Sequence, residues 1–161
     1  MSMVGRQATN RFVPRDSAPV RMVGAQGNGP ACIFCDIAAR RSPAHIVYED
    51  ASTVAFLDLF PFTRGHLLVI PKRHAVRLTD LSSDDQVALV RTLDKICRRV
   101  ERLAPDYHVS LNAGANAGQV VFHVHLHVIP RYGEANPFLG PGRTRLRDDD
   151  ARELLRELSG S

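Results

Sequence analysis

Three histidines, His123, His125 and His127, occupy alternate positions in an otherwise apolar run from Val120 to Ile129. A strand turns successive side chains to opposite faces, so this spacing predicts three imidazoles on one face and Phe122, Val124, Leu126 and Val128 in a core. Successive rings would then stand roughly 6.6 Å apart. Imidazoles titrate near neutrality, and three of them on a rigid ruler suit metal binding or phosphate chemistry. A single strand histidine is ordinarily a packed or surface residue. Three in strict alternation fill a core poorly, because each buried ring needs a hydrogen-bond partner.

Cys32 and Cys35 form a Cys-x-x-Cys pair, which can close on zinc if two further ligands arrive. A redox pair, here without thioredoxin-like surroundings, and two buried thiols are the other readings. With only three cysteines in the chain, a disulfide framework is disfavoured, and Cys97 reads as a core residue on an apolar helix stripe. The segment Gly114-Ala115-Asn116-Ala117-Gly118 lets backbone N–H groups approach a phosphate without obstruction from Cβ atoms, although most such loops are only turns.

These groups need a scaffold. A short helix is expected from about Cys32 to Arg40, closed before Pro43, with Ile33, Phe34 and Ile37 on one face. Strands follow at His45 to Tyr48 and Thr53 to Leu59, joined by a turn over Glu49-Asp50-Ala51-Ser52, and a third runs from His66 to Ile70, stopping at Pro71. Ser83-Asp84-Asp85-Gln86 resembles a capping box opening a long helix with Val90, Leu93, Cys97 and Val100 as its stripe and Pro105 beyond its end. Strands at Tyr107 to Asn112 and Val120 to Pro130 complete the sheet, and Ala151 to Leu158 forms a short helix with acids at its start. The fold class is therefore α+β: an antiparallel sheet of about five strands with helices packed on it.

Composition limits the setting. The 161 residues make one domain's worth, with three parts expected: a disordered extension over 1–30, a domain over 31–132 and a tail over 133–161. Gly24 to Gly29 is followed by Pro30 and preceded by no strand, so it reads as linker and not as a phosphate loop. No apolar stretch approaches the roughly 20 residues that span a bilayer, and the start lacks the order of a secretory signal, so a cytosolic protein is expected. A net charge of +4, with bases scattered among acids, suits an anionic small molecule better than nucleic acid or a membrane surface.

The run His123-Val124-His125-Leu126-His127-Val128-Ile129 resembles the signature of the histidine triad (HIT) family, His-x-His-x-His followed by two apolar residues. Cys32-Ile33-Phe34-Cys35, Ala55-Phe56-Leu57-Asp58-Leu59, the stretch Gly65 to His74, Asn112 and Gly118-Gln119 fall in family order, and the likeness is greatest to the Hint-like bacterial branch with its Cys-x-x-Cys zinc site. The resemblance implies a homodimer whose two sheets form one saddle, acting as a nucleotide hydrolase or nucleotidyl transferase on phosphoramidates, adenylates or dinucleoside polyphosphates. By residue, it implies that His125 attacks the α-phosphorus and that His127 donates to the phosphate oxygens. Asn112 and Gln119 would contact the phosphate or leaving group, and His66 would orient the triad. Ile33, Phe34, Ile37 and Phe56 would line the base pocket of an AMP-type purine nucleotide, with Leu59, Gly118 and Val120 beside them. Asp58 would accept the ribose hydroxyls. Cys32, Cys35, His74 and His123 would hold a structural zinc. One departure stands out: the family usually carries a Ser or Thr hydroxyl where this chain has Val120. A nucleotide-binding regulator with little turnover, and a metalloenzyme using all three triad histidines as ligands, remain as alternatives.

Overall fold

The computed structural model describes residues 32–133, 136, 138 and 143–159, and the extension and linker expected over 1–30 lie outside them. Five antiparallel strands, β1 (Ile46–Glu49), β2 (Thr53–Leu57), β3 (Leu67–Pro71), β4 (Asp106–Leu111) and β5 (Leu126–Arg131), form one sheet in the order β1-β2-β3-β5-β4. The β1–β2 turn is closed by Asp50, whose carboxylate accepts from the Ser52 and Thr53 amides at 2.9 and 2.8 Å and from the Thr53 hydroxyl at 2.9 Å. An aspartate at this position satisfies the turn's amides locally, which is why the three-residue link Asp50 to Ser52 suffices.

Helix α1 (Ile33–Ala38) turns Phe34 and Ile37 onto the sheet. Ile33, expected on the same face, is 47% exposed because it opens the helix at its outer edge. Arg40 adopts φ 60 and the Arg41 amide bonds back to the Asp36 carbonyl at 2.8 Å, so the helix ends before Pro43.

Helix α2 (Ser83–Val100) begins one residue earlier than the sequence pattern suggested. Ser82 is extended and its hydroxyl accepts from the Asp85 amide, so Ser82 is the cap and Ser83 is already helical. Gln86, freed from the expected box, donates to the carbonyls of Leu78 and Leu81. The buried stripe is Leu89, Thr92, Ile96, Cys97 and Val100, while Val90 is 59% exposed. Thr92 decides this rotation: its hydroxyl bonds the Thr53 hydroxyl at 2.7 Å in the core, a polar contact that hydrophobic periodicity does not reveal. Helix α3 (Asp148–Ser159) starts on three aspartates and buries Ala151, Leu154 and Leu158.

The sheet separates two cores. On one face α2 and α3 cover Val47, Ala55, Leu57, Leu67, Val69 and Val128; on the other, α1 packs Phe34 and Ile37 onto Val54, Phe56, Leu68 and Ile70. Phe56 pairs with Leu68, Leu68 with His127 and His127 with Ser110, so the α1 face carries the last triad histidine.

The largest correction concerns β5, which begins at Leu126 and not at Val120. Its ladder with β3 ends at the Val69–Leu126 pair, although β3 runs on to Pro71. Val124 instead donates to the Ala75 carbonyl at 2.7 Å, and His123 bonds back to Val121. Phe122, expected in the core, is 50% exposed.

Candidate functional site

The irregular segment before β5 splits the three histidines into different surroundings. Gln119 holds it: 3% exposed, its amide donates to the carbonyls of Val76 and Val121 at 3.0 and 3.2 Å, and its oxygen accepts from the Gly114 amide at 2.7 Å. Both of its N–H donors and its oxygen bond to backbone, so Gln119 acts as a staple between the glycine loop and the chain after β3. Gly114 and Gly118 adopt φ 97 and 82, a region that favours glycine, and Asn112 donates to the Gly118 carbonyl at 3.4 Å.

His123 turns toward the start of α1. Its Nε2 donates to the Pro71 carbonyl at 2.9 Å, which leaves Nδ1 bare, and that atom lies 3.4 Å from the Cys32 sulfur and 3.5 Å from the Cys35 sulfur. His74 Nδ1 lies 3.3 Å from the Cys35 sulfur, and the four ligand atoms all fall within 4.8 Å of one another. Tetrahedral zinc with Zn–S near 2.3 Å and Zn–N near 2.0 Å spaces its ligand atoms roughly 3.3 to 3.8 Å apart, so these residues fit the metal in donor type and in spacing. The Pro71 carbonyl is also the outer partner that fixes a ligating imidazole's tautomer. Burial and the neighbouring Cys32 push the Cys35 thiol up to about 11, so thiolate formation here needs a cation.

His125 is buried at 6% exposure, and its Nδ1 donates to the His123 carbonyl at 2.7 Å. A carbonyl can only accept, so the proton sits on Nδ1 and the Nε2 lone pair is free. Burial lowers its pKa from the ordinary 6.5. The neutral form therefore prevails at pH 7.

His127 stands 4.9 Å from His125 between ring centroids, closer than the even strand spacing expected, because His125 lies off the strand. His127 Nδ1 faces His66 Nε2 at 3.0 Å, while the Phe62 amide donates to His66 Nδ1 at 3.3 Å. The amide requires a bare Nδ1 on His66, hence a proton on Nε2, which donates to His127 Nδ1 and leaves the His127 proton on Nε2. Burial foremost, with neighbouring positive charge, lowers His127 to about 4 and His66 to about 3. Asp58 lies alongside this chain: its Oδ2 stands 3.3 Å from the bare His66 Nδ1 with no hydrogen bond between them, its Oδ1 accepts from the Phe60 amide at 2.9 Å, and burial raises its pKa.

A model of the HIT domain matches residues 39–134. This chain belongs to the HIT family. An uncharacterized HIT-like protein of Mycobacterium tuberculosis is 43% identical over 131 residues, covering 78% of this chain and 91% of its own length. An adenosine 5'-monophosphoramidase of Candida albicans is 39% identical over 111 residues, covering 65% of this chain and 73% of its own. The crystal structure of a zinc-bound histidine triad family protein of Mycobacterium smegmatis superposes with a TM-score of 0.67 at 38% identity, covering 80% of this chain and 94% of that one.

Within the HIT chain, the four candidate metal ligands come together, as do His125, His127, His66 and Asp58. Phe34 joins the two groups, its ring 5.2 Å from that of His125 and 6.0 Å from that of His123. The residues expected around the base divide: Phe34, Ile37 and Phe56 are buried beside the triad, whereas Ile33, Leu59 and Val120 are exposed. Two residues escaped sequence reasoning. Phe62 supplies the amide that sets the His66 tautomer, and Arg143 lies 3.9 Å from Asp58 with its guanidinium 4.5 Å over the Phe62 ring. No local motif marks either, since one acts through its backbone and the other arrives from beyond the family match.

Proposed function

We propose that this chain cleaves AMP-type purine nucleotides at the α-phosphorus, as a hydrolase or nucleotidyl transferase working through His125. The observation that carries this is the bare His125 Nε2, created by the Nδ1 bond to the His123 carbonyl. In the first step the Nε2–P bond forms and the bond to the leaving group breaks, the leaving group taking a proton from solvent; water then cleaves the N–P bond, gives its proton back to solvent and returns the neutral imidazole. His127, with its proton on Nε2, donates to the phosphate oxygens as their charge develops. The glycine loop, with Asn112 and Gly118, borders the phosphate. Gln119 serves by holding that loop to Val76 and Val121. Phe34, Ile37, Phe56, Ile33, Leu59 and Val120 form the base side, and Asp58 accepts the ribose hydroxyls. The Candida albicans phosphoramidase supports the substrate class.

In this reading Cys32, Cys35, His74 and His123 hold zinc. Bound there, the metal supplies a tie between the start of α1, the chain after β3 and the segment before β5. The zinc-bound Mycobacterium smegmatis relative supports it. The rival in which all three triad histidines bind one catalytic metal loses support, because His123 Nδ1 faces the two cysteine sulfurs while His127 Nδ1 is committed to His66. A low-turnover binder is favoured by one observation, the absence of a hydroxyl at Val120. A homodimer belongs to the same proposal, with the free edge of β4 as its joint. So does a cytosolic setting, whose reducing conditions keep the ligand thiols available.

Rapidly quenched mass spectrometry of the protein with adenosine phosphoramidate tests the reading. A nucleotidyl adduct is expected on the wild type and not on His125→Ala, which loses turnover while keeping nucleotide affinity within about tenfold, or ~1.4 kcal/mol. Equal turnover in both proteins would sink the mechanism.

A further inference from the structure

Asp58 has a neighbour that the triad motif does not supply. Arg143 lies past residue 134, where the HIT match ends, and it returns to the site because the chain before α3 is pinned there. The Leu146 amide donates to the Leu59 carbonyl at 2.8 Å, Leu146 is 9% exposed, and α3 buries Leu154 and Leu158. This delivers the Arg143 guanidinium to 4.5 Å above the Phe62 ring centroid and its Nη1 to 3.9 Å from Asp58 Oδ2. Stacking on an aromatic face holds the plane of a guanidinium while leaving its edge donors open. Among the described residues no acceptor takes a hydrogen bond from this group, and its side chain is 41% exposed where that of Asp58 is 13% exposed.

The pair thus presents a buried acceptor beside an open donor, with little net charge. The ligand chemistry follows by elimination. A phosphate at this spot meets the Asp58 carboxylate, an ammonium meets Arg143, and an apolar group leaves both unsatisfied. A neutral vicinal diol satisfies both, since each hydroxyl donates one proton and accepts through its oxygen. The carboxylate takes the protons, and the guanidinium donates to the oxygens.

We propose that Arg143 is a specificity-determining residue that, together with Asp58, reads the 2′,3′-diol of the ribose. The inference rests on the nucleotide reading above and extends it to a residue outside the family match. It makes the chain beyond the triad strand part of the binding site.

Titration calorimetry of the full chain with AMP and with 2′,3′-dideoxyadenosine monophosphate tests it, using wild type, Arg143→Met, Arg143→Lys and Arg143→Gln. Methionine keeps apolar packing on Phe62 while removing charge and donors. AMP is expected to bind Arg143→Met about tenfold more weakly, the loss of one charged hydrogen bond, with the dideoxy compound within about twofold of wild type. Lysine should recover part of the preference. If Arg143→Met fails to match the wild-type melting temperature, Arg143→Gln, which keeps one donor and polar bulk, carries the comparison. Equal weakening of both ligands would assign Arg143 to general attraction, and an unchanged ratio would assign it to packing; either overturns the proposal. Wild type that binds AMP without preferring it to the dideoxy compound overturns the diol reading for Asp58 and Arg143 alike. Wild type that binds neither overturns the nucleotide reading itself, and the Arg143 proposal with it.

Discussion

Among the described residues, two clusters hold metal-capable side chains within 4.8 Å of each other, Cys32-Cys35-His74-His123 and Asp58-His66-His127, yet their chemistry diverges. In the first, imidazole nitrogens and neutral thiols converge at 3.3 to 3.5 Å, with the His123 Nδ1 lone pair among them. In the second, donors and acceptors already alternate: the Phe62 amide to His66, His66 to His127, with the Asp58 carboxylate alongside. Proximity of ligands therefore does not define a metal site; unspent lone pairs do. The first cluster could hold a metal ion, whereas the second holds one proton on a chosen nitrogen.

The difference predicts opposite responses to substitution. Cys35→Ser should remove the metal and lower the melting temperature by ~10 °C, about 3 kcal/mol, because binding energy at a site formed only in the native state is folding energy. Metal analysis and calorimetry check it; a variant that keeps its zinc and its stability would remove the first half of the comparison. His66→Leu should leave zinc content unchanged but lower kcat about 10- to 100-fold, since His127 loses the partner that places its proton. Unaltered kcat, or lost zinc, would merge the two clusters into one.

Acid separates them as well. His66 and His127 are held neutral in the fold at about 3 and 4, against the ordinary 6.5. The unfolded chain takes up these protons first, so their contribution is complete above pH 6.5 and is lost as pH falls toward 4. A loss on the order of 6 kcal/mol is expected in urea unfolding between pH 7.5 and 4, about half of it from each ring, and smaller in His66→Leu. An equal acid loss in both proteins would show that these rings are not the source. The smallest effect concerns Val120, 78% exposed at the rim. Val120→Ser should raise kcat for an alkylamine phosphoramidate by up to about tenfold, and change an acyl-adenylate much less, if a hydroxyl there assists the leaving group. No gain on either, with folding intact, would place that assistance elsewhere.

Local signals carried much of this protein. Cys32 and Cys35 at helical spacing, the Asp50 turn, Pro71 at the end of β3 and the three histidines are each legible because the relevant physics acts over a few residues. The existence of five strands is legible in the apolar runs, but the order that sets β5 between β3 and β4 is not. Helix α2 shows the limit: the apolar period made Val90 a core residue, but the Thr53–Thr92 hydroxyl pair rotates the buried stripe onto Leu89 and Ile96.

What only the tertiary structure decided is where each histidine points. Alternation in sequence puts three rings on one face, but alternation holds only while a partner strand continues the ladder. The ladder with β3 ends at Val69–Leu126, and the carbonyls of Pro71, Ala75 and Val76 capture His123, Val124 and Gln119 instead. His123 is thereby sent to the cysteines and His125 is left with a bare Nε2. Arg143 depends on the same kind of contact, being carried to Asp58 by the packing of Leu146 and α3 and by nothing adjacent to it in the chain. Side-chain types and local period belong to the sequence, whereas proton placement depends on which backbone groups are left over when strands end, and that is settled only by the packed fold.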